Sequence, residues 1–114
     1  MVDRSIVAVA RDYLQSLKRE VVTIRFGVVF GSWARGTAHR WSDIDLVVVS
    51  PQFDNATDRR YVDLFWCQAA RIDSRIEPIA CGEKQWEDDD LSIIIDVARR
   101  EGERIAVDEQ ESSG

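Results

Sequence analysis

Apolar residues recur at helical spacing between Arg4 and Arg19. Ile6, Ala10, Tyr13, Leu14 and Leu17 share one face, which predicts an amphipathic helix with Asp3 as its cap. From Val21 to Phe30 the chain turns β-branched and aromatic, which predicts a strand. That run breaks at Gly31-Ser32, and Ser32 to Ala38 is short and polar enough for one helical turn and a loop. Asp43 to Val49 alternates acid with Ile44, Leu46 and Val48 before becoming apolar on both faces. This is the mark of a central strand with polar residues only at its start. Ser50-Pro51 ends it, and residues 52–56 form a loop in which Asp54 or Asn55 can cap the next helix.

That helix shows one face through Tyr61, Leu64, Phe65, Gln68, Ala69 and Ile72, and runs to about Arg71. Arg75 to Ala80 predicts a third strand, and Pro78 within it points to a sheet edge or a bulge. Gly82 to Asp89 is a hydrophilic connection. A last helix from about Asp90 to Glu101 carries Leu91, Ile94, Ile95 and Ala98 as its stripe. Arg99 and Arg100 suit its C-terminal dipole, and Gly102 suits the position after it. Arg104 to Val107 predicts a short final strand. The order αβ(α)βαβαβ implies an α/β or α+β domain over residues 1–107, a mixed sheet of about four strands with helices packed on it. Residues 108–114 form an acidic tail that is expected to be disordered.

A chain of 114 residues suits one core, and a domain of this size buries roughly two-thirds of its unfolded surface without a metal or disulfide staple. No apolar run approaches a membrane span of ~20 residues, and Leu46 to Val49 is strand-sized. Asp3 and the absence of a hydrophobic leader speak against a secretory signal. Cys67 and Cys81 have neither Cys-x-x-C spacing nor a companion His cluster, and are read as reduced thiols. The expectation is a soluble, cytoplasmic domain. Its charge is uneven: residues 1–60 carry a net +2 and residues 61–114 a net −8. No basic stripe marks a general nucleic-acid binder. The acidic half is either a solvated surface or a face that docks a basic partner.

The stretch from Gly31 to Leu46 holds the candidate chemistry. Gly31-Ser32 lies where a buried strand hands over to a short helix; glycine allows close backbone approach to an anion, and N–H groups with a serine hydroxyl can cradle phosphate. Arg35 adds a positive charge beside it, and Gly36 can take the positive φ that ends so short a helix. A branched side chain at position 31 is expected to block phosphate while leaving the fold intact. Asp43 and Asp45 lie two apart on a strand, so they share a face with Cα atoms about 6.6 Å apart. Two carboxylates leaning together from there can hold one or two Mg²⁺, and without a cation they repel. A phosphate cradle beside paired carboxylates is the minimum for phosphoryl or nucleotidyl transfer. Gly31, Ser32, Arg35, Gly36, Ser42, Asp43 and Asp45 match at fixed spacing by chance on the order of 10⁻⁸ to 10⁻⁹ per starting position. His39 lies in the Thr37–Trp41 loop and is read as solvated. Trp33 and Trp41 flank the site, as stacking platforms, a partner seal or loop packing. Trp86 either anchors an acidic docking surface or covers the last long helix.

Gly-Ser-x-x-Arg-Gly followed by Ser-Asp-x-Asp-Leu resembles the signature of the DNA polymerase beta nucleotidyltransferase superfamily. The small size is similar to its minimal nucleotidyltransferases, which pair with HEPN-domain toxins. The motif covers residues 31–46, and the strand order extends the likeness over about residues 5–107. The resemblance implies a palm-like fold with Gly31 and Ser32, aided by Arg35, Gly36 and Ser42, on the triphosphate, and Mg²⁺ on Asp43 and Asp45 in a two-metal site. A third carboxylate from a later strand helps deprotonate the attacking hydroxyl. Glu77 is its match, where Asp is usual, and Asp73 competes because positions 73, 75 and 77 share a strand face.

The implied activity is transfer of a nucleoside monophosphate, AMP from ATP, to a hydroxyl on a partner protein, as the antitoxin of a HEPN toxin pair. One alternative is a non-catalytic antitoxin acting by occlusion. Another is one half of a two-chain small-molecule enzyme, on an aminoglycoside for example. Larger relatives add an acceptor domain. The expectation here is that the acceptor comes from another chain, a partner protein or a second copy in a homo-oligomer.

Overall fold

A computed structural model describes residues 2–20, 23–54, 59–88 and 92–107, the side chains of 59 and 60 excepted. The chain runs α1 (Arg4–Arg19), β1 (Phe26–Phe30), α2 (Ser32–Arg35), β2 (Ile44–Ser50), a 3₁₀ turn (Pro51–Phe53), α3 (Arg59–Ile72), β3 (Ile76–Gly82), α4 (Glu83–Asp88), α5 (Ile93–Glu101) and β4 (Glu103–Ile105). The strands form one four-stranded mixed sheet in the order β3-β2-β1-β4. β1 is antiparallel to both neighbours, and β2 and β3 are parallel. This is the expected mixed sheet with helices packed on it, and Pro78 does lie on an edge strand.

Period-two alternation sends β2 into two cores. Ile44, Leu46 and Val48 join Val29, Ile76 and the stripe of α1 and α3 on one face. Val47 and Val49 join Val28, Phe30, Cys81, Ile95 and Ala98 on the other. On the first face the fully buried Tyr13 donates its hydroxyl to the Phe65 carbonyl at 3.0 Å, tying α1 to α3 without an orphaned polar group. The Asp3 carboxylate accepts from the Ser5 N–H at 2.8 Å, the predicted cap of α1.

Several boundaries differ from the expectation. Regular β1 begins only at Phe26, although the Arg25 N–H already reaches the Val49 carbonyl at 2.9 Å; Val21 and Val22 lie outside the described residues. Asp54 is a cap, but of another helix: its carboxylate accepts from the Lys84 N–H at 2.9 Å, at the start of α4. Asn55 and Leu91 lie outside the described residues, as does the tail 108–114. The hydrophilic connection holds α4, seated by Trp86 edge-on to Phe26 with centroids 5.6 Å apart. α5 starts at Ile93 with the Ser92 hydroxyl as cap, leaving Ile94 half-exposed. Gly102 is extended, with φ −80° and ψ 162°, because the chain passes directly into β4.

Both cysteines are free thiols, Cys67 exposed and Cys81 buried. Among the described residues no helix is long and apolar enough to cross a membrane.

Candidate active site

β1 ends at Phe30, beneath α5, and the chain must leave the sheet at once. Gly31 makes that turn with φ 75° and ψ −147°, a combination essentially confined to glycine. Its carbonyl accepts from the Ala34 and Arg35 N–H groups, both at 3.0 Å, which winds the single turn of α2. Gly36 stops the turn in the left-handed region, with φ 77° and ψ 18°. Gly36 thus takes the positive φ expected of it.

The register then aligns the acids. Phe30 lies opposite Asp45, and Asp45 lies opposite Glu77. Phe30, Asp45 and Glu77 therefore stand in a row across three adjacent strands, on the face covered by α5, and Gly31 follows directly after Phe30. A Cβ placed on Gly31 would fall 2.3 Å from Asp45 Oδ2. The turn thus brings bare backbone against the Asp45 carboxylate. This overturns the expectation that a branched residue at position 31 leaves the fold intact.

The carboxylates are electrostatically frustrated. Asp45, half-buried, has its pKa raised by burial and then by the Asp43 charge, with the Arg35 guanidinium working against both. Glu77 is raised chiefly by its hydrogen bond with Asp43, then by burial and by the Asp43 and Asp45 charges. Protonated Glu77 can donate to Asp43; an ionised Glu77 faces two anions. Arg35 also pairs with Glu101 of α5 at 3.5 Å, between exposed side chains.

Asp73 does not join this row. It sits in a turn before β3, where its carboxylate accepts from the Arg75 N–H at 3.0 Å, Arg75 Nε at 3.0 Å and Nη2 at 2.7 Å. That clamp holds its pKa down, the Arg75 hydrogen bond being the largest cause. Positions 73, 75 and 77 do not share a strand face, because β3 begins only at Ile76.

Ser42 is engaged in closing the loop before β2. Its N–H donates to the His39 carbonyl at 2.9 Å, its hydroxyl accepts from the His39 N–H at 2.9 Å, and its carbonyl accepts from Trp33 Nε1 at 3.2 Å. Trp33 packs against the first core, so loop packing is its role. His39 is exposed, and its Nδ1 accepts from the Trp41 N–H at 3.3 Å. Sequence reasoning missed Arg75 as a brace. Its Nη1 donates to the Arg40 carbonyl at 2.8 Å, and its guanidinium lies 5.9 Å from the Trp33 ring centroid. The Asp-x-Arg spacing ahead of a strand was the available signal.

Among the described residues no three His, Cys, Asp or Glu side chains already stand at metal-holding spacing. The donor chemistry nevertheless fits a hard cation: Asp43, Asp45 and Glu77 offer only carboxylate oxygens, and neighbouring carboxylates contribute to the raised pKa values of Asp45 and Glu77.

A family model described as a nucleotidyltransferase domain matches residues 10–110. Among curated proteins none matches the sequence. Solved structures share the fold at low identity. One is a toxin–antitoxin with AMP-PNP, at 21% identity and TM-score 0.58, covering 90% of this chain and 77% of that one. A second, from Sulfolobus solfataricus and described as a nucleotidyltransferase, is 17% identical with TM-score 0.61, covering 88% and 78%. A third is the toxin–antitoxin MntA–HpeT, in a variant with two Asp→Glu changes two positions apart. It is 18% identical with TM-score 0.53, covering 99% and 79%.

Proposed function

Because the chain belongs to the nucleotidyltransferase domain family, we propose that it transfers AMP from ATP to a hydroxyl on a partner protein, as the antitoxin of a HEPN toxin pair. The observation that carries this reading is the Gly31 turn lying against Asp45, which stands opposite Glu77 across the strand ends. It sets a bare-backbone turn suited to phosphate beside acids that repel one another. Two of the fold neighbours are toxin–antitoxin structures, one with AMP-PNP, which supports both the nucleotide and the partner. The spacing of the two altered acids in the MntA–HpeT variant is that of Asp43 and Asp45.

In this reading the N–H groups around Gly31 and Ser32 hold the triphosphate, with Arg35 adding charge and Gly36 and Ser42 fixing the turn and the loop. Asp43, Asp45 and Glu77 would hold Mg²⁺, which supplies Lewis-acid charge to the phosphates and the attacking oxygen. Glu77, at the β3 end of the row, takes the proton of the partner's hydroxyl as that oxygen bonds to the α-phosphorus. The bond from the α-phosphorus to the bridging oxygen breaks, and pyrophosphate leaves with its electron pair.

The test uses the protein with the partner that copurifies with it, and ATP labelled at either the α- or the γ-phosphate. Label from the α-position only, with a mass gain of one AMP on the partner, supports transfer. Label from the γ-position makes the protein a kinase and refutes it. The second reading, neutralisation by occlusion, draws on the spacing of the acids, no three of which among the described residues already stand close enough together to hold a metal ion. It wins if the partner is inhibited at stoichiometry with no mass gain.

A further inference from the structure

Arg75 stands directly before β3 and shortly before Glu77. Its own N–H and its Nε both donate to Asp73 Oδ1 at 3.0 Å, and Nη2 donates to Oδ2 at 2.7 Å. This is the two-pronged fit of a guanidinium on a carboxylate. It is largely shielded, the side chains of Arg75 and Asp73 being 23% and 17% exposed. The positive charge is therefore answered within the turn. What reaches beyond the turn is Nη1, which donates to the Arg40 carbonyl at 2.8 Å in the loop ahead of β2.

That bond is one of several that converge on Asp43. The exposed Asp43 precedes Ile44, the first residue of β2 paired with β3, so the strand ladder does not hold it. Its chain neighbours are held instead, from both sides. Ahead of it, Arg75 Nη1 donates to the Arg40 carbonyl and Trp33 Nε1 donates to the Ser42 carbonyl at 3.2 Å. The Arg75 guanidinium also lies 5.9 Å from the centroid of that indole. After it, the Ile44 N–H donates to the Arg75 carbonyl at 2.8 Å. Asp43 meets Glu77 directly, and two carboxylates in contact push each other apart once ionised. A loop residue under that repulsion keeps its place only if its backbone is fixed.

We infer that Arg75 is a positioning residue: its guanidinium fork, anchored on Asp73, fixes Asp43 beside Glu77. That position matters because, in the proposed reading on which this inference rests, Asp43 and Glu77 hold Mg²⁺ together with Asp45. Arg75 acts by shape and not by charge. Lysine at position 75 keeps the charge, but it is a single point donor on a flexible stem and cannot span Asp73 and Arg40 together. Asparagine at position 73 still offers an oxygen to the Arg75 N–H and Nε, so it leaves the fork in place.

Two measurements on the full chain test it. In the metal-free protein, amide hydrogen exchange at Ser42 and Ile44 should quicken roughly ten- to a hundredfold in Arg75→Gln. Arg75→Lys should do nearly the same, with the Val28 and Val47 amides of the sheet unchanged in both. By calorimetry, the gain in ATP affinity that Mg²⁺ provides in wild type should shrink roughly ten- to a hundredfold in both variants, while metal-free ATP binding stays as it is. Tyr13→Phe, which removes the buried bond between α1 and α3, controls for lost stability: it should melt lower and keep the Mg²⁺ gain. The inference is overturned if exchange at Ser42 and Ile44 is unchanged in Arg75→Gln, or if Arg75→Lys behaves as wild type. It is also overturned if Tyr13→Phe loses the Mg²⁺ gain equally. Wild-type ATP affinity indifferent to Mg²⁺ would sink the metal reading, and the exchange rates would still decide the role of Arg75. A Mg²⁺ gain intact in Arg75→Gln would sink that role and leave the metal reading standing.

Discussion

Replacing Gly31 with alanine tests the geometry on which the site depends. Two costs add. The backbone at φ 75° and ψ −147° is closed to residues with a Cβ, at about 1–3 kcal/mol. The new methyl would also stand 2.3 Å from Asp45 Oδ2 and 3.3 Å from its Cγ, so the carboxylate must retreat by roughly 1 Å to reach ordinary contact. Gly36→Ala is the comparator. Gly36 has a similar φ of 77° but nothing within 4 Å of its would-be Cβ, so only the left-handed backbone cost of about 1–2 kcal/mol applies. At about 4–8 °C per kcal/mol for a domain of this size, Gly31→Ala should melt roughly 5–20 °C below wild type and below Gly36→Ala. Its Mg-ATP affinity, measured by calorimetry, should fall at least ~10-fold (about 1.4 kcal/mol), because both the cradle and a metal-binding carboxylate have moved. A Gly31→Ala protein as stable as Gly36→Ala that binds Mg-ATP like wild type would refute the reasoning.

Glu77→Gln should lower transfer by roughly 10²–10⁴-fold while Mg-ATP binding, held by Asp43 and Asp45, changes little; single-turnover transfer and calorimetry separate the two. Asp73→Asn should instead cost about 1–3 kcal/mol in urea unfolding with the chemical step intact. Because the folded pKa of Asp73 is depressed, its contribution is present above the ordinary carboxylate range and is lost as pH falls through the folded value. Asp45 and Glu77 have the opposite sign. Their folded pKa values are raised, so the native state binds the extra protons between the unfolded and folded values, and metal-free stability falls as pH rises through that window. The slope of melting temperature against pH should flatten in Glu77→Gln and on adding Mg²⁺; identical slopes in all three samples would contradict it. Asp43→Asn/Asp45→Asn should melt above wild type at neutral pH without metal, and should lose the Mg²⁺ dependence of ATP binding.

The strands and long helices were legible because their periodicity is the packing itself: Ile6 to Leu17 and Ile44 to Val49 carry their burial in their spacing. α4 was not legible, since Trp86 is its one apolar residue, packed on the second core, and five polar neighbours drown a 3.6-residue signal. Asp54 looked like a cap and is one, but for a helix that follows it by some 30 positions, a pairing local sequence cannot express. Within the site, Gly31, Gly36, Asp43 and Asp45 could be read from local motif spacing. Glu77 was singled out through the resemblance alone, and the parallel register with β2 sets it opposite Asp45. The competitor Asp73 was separated from it only by the turn in which the Ile76 N–H meets the Asp73 carbonyl at 3.1 Å, which delays β3 past position 75.

Pro78 stands in the middle of β3, one residue after Glu77, on an outer strand of the sheet. An edge strand is ordinarily a template on which another chain can be added, backbone to backbone. Proline withholds a donor that such an addition would use. A chain added along the β3 edge beside Glu77 would therefore find one main-chain hydrogen bond withheld. The same withheld donor disfavours self-templated strand addition at that margin.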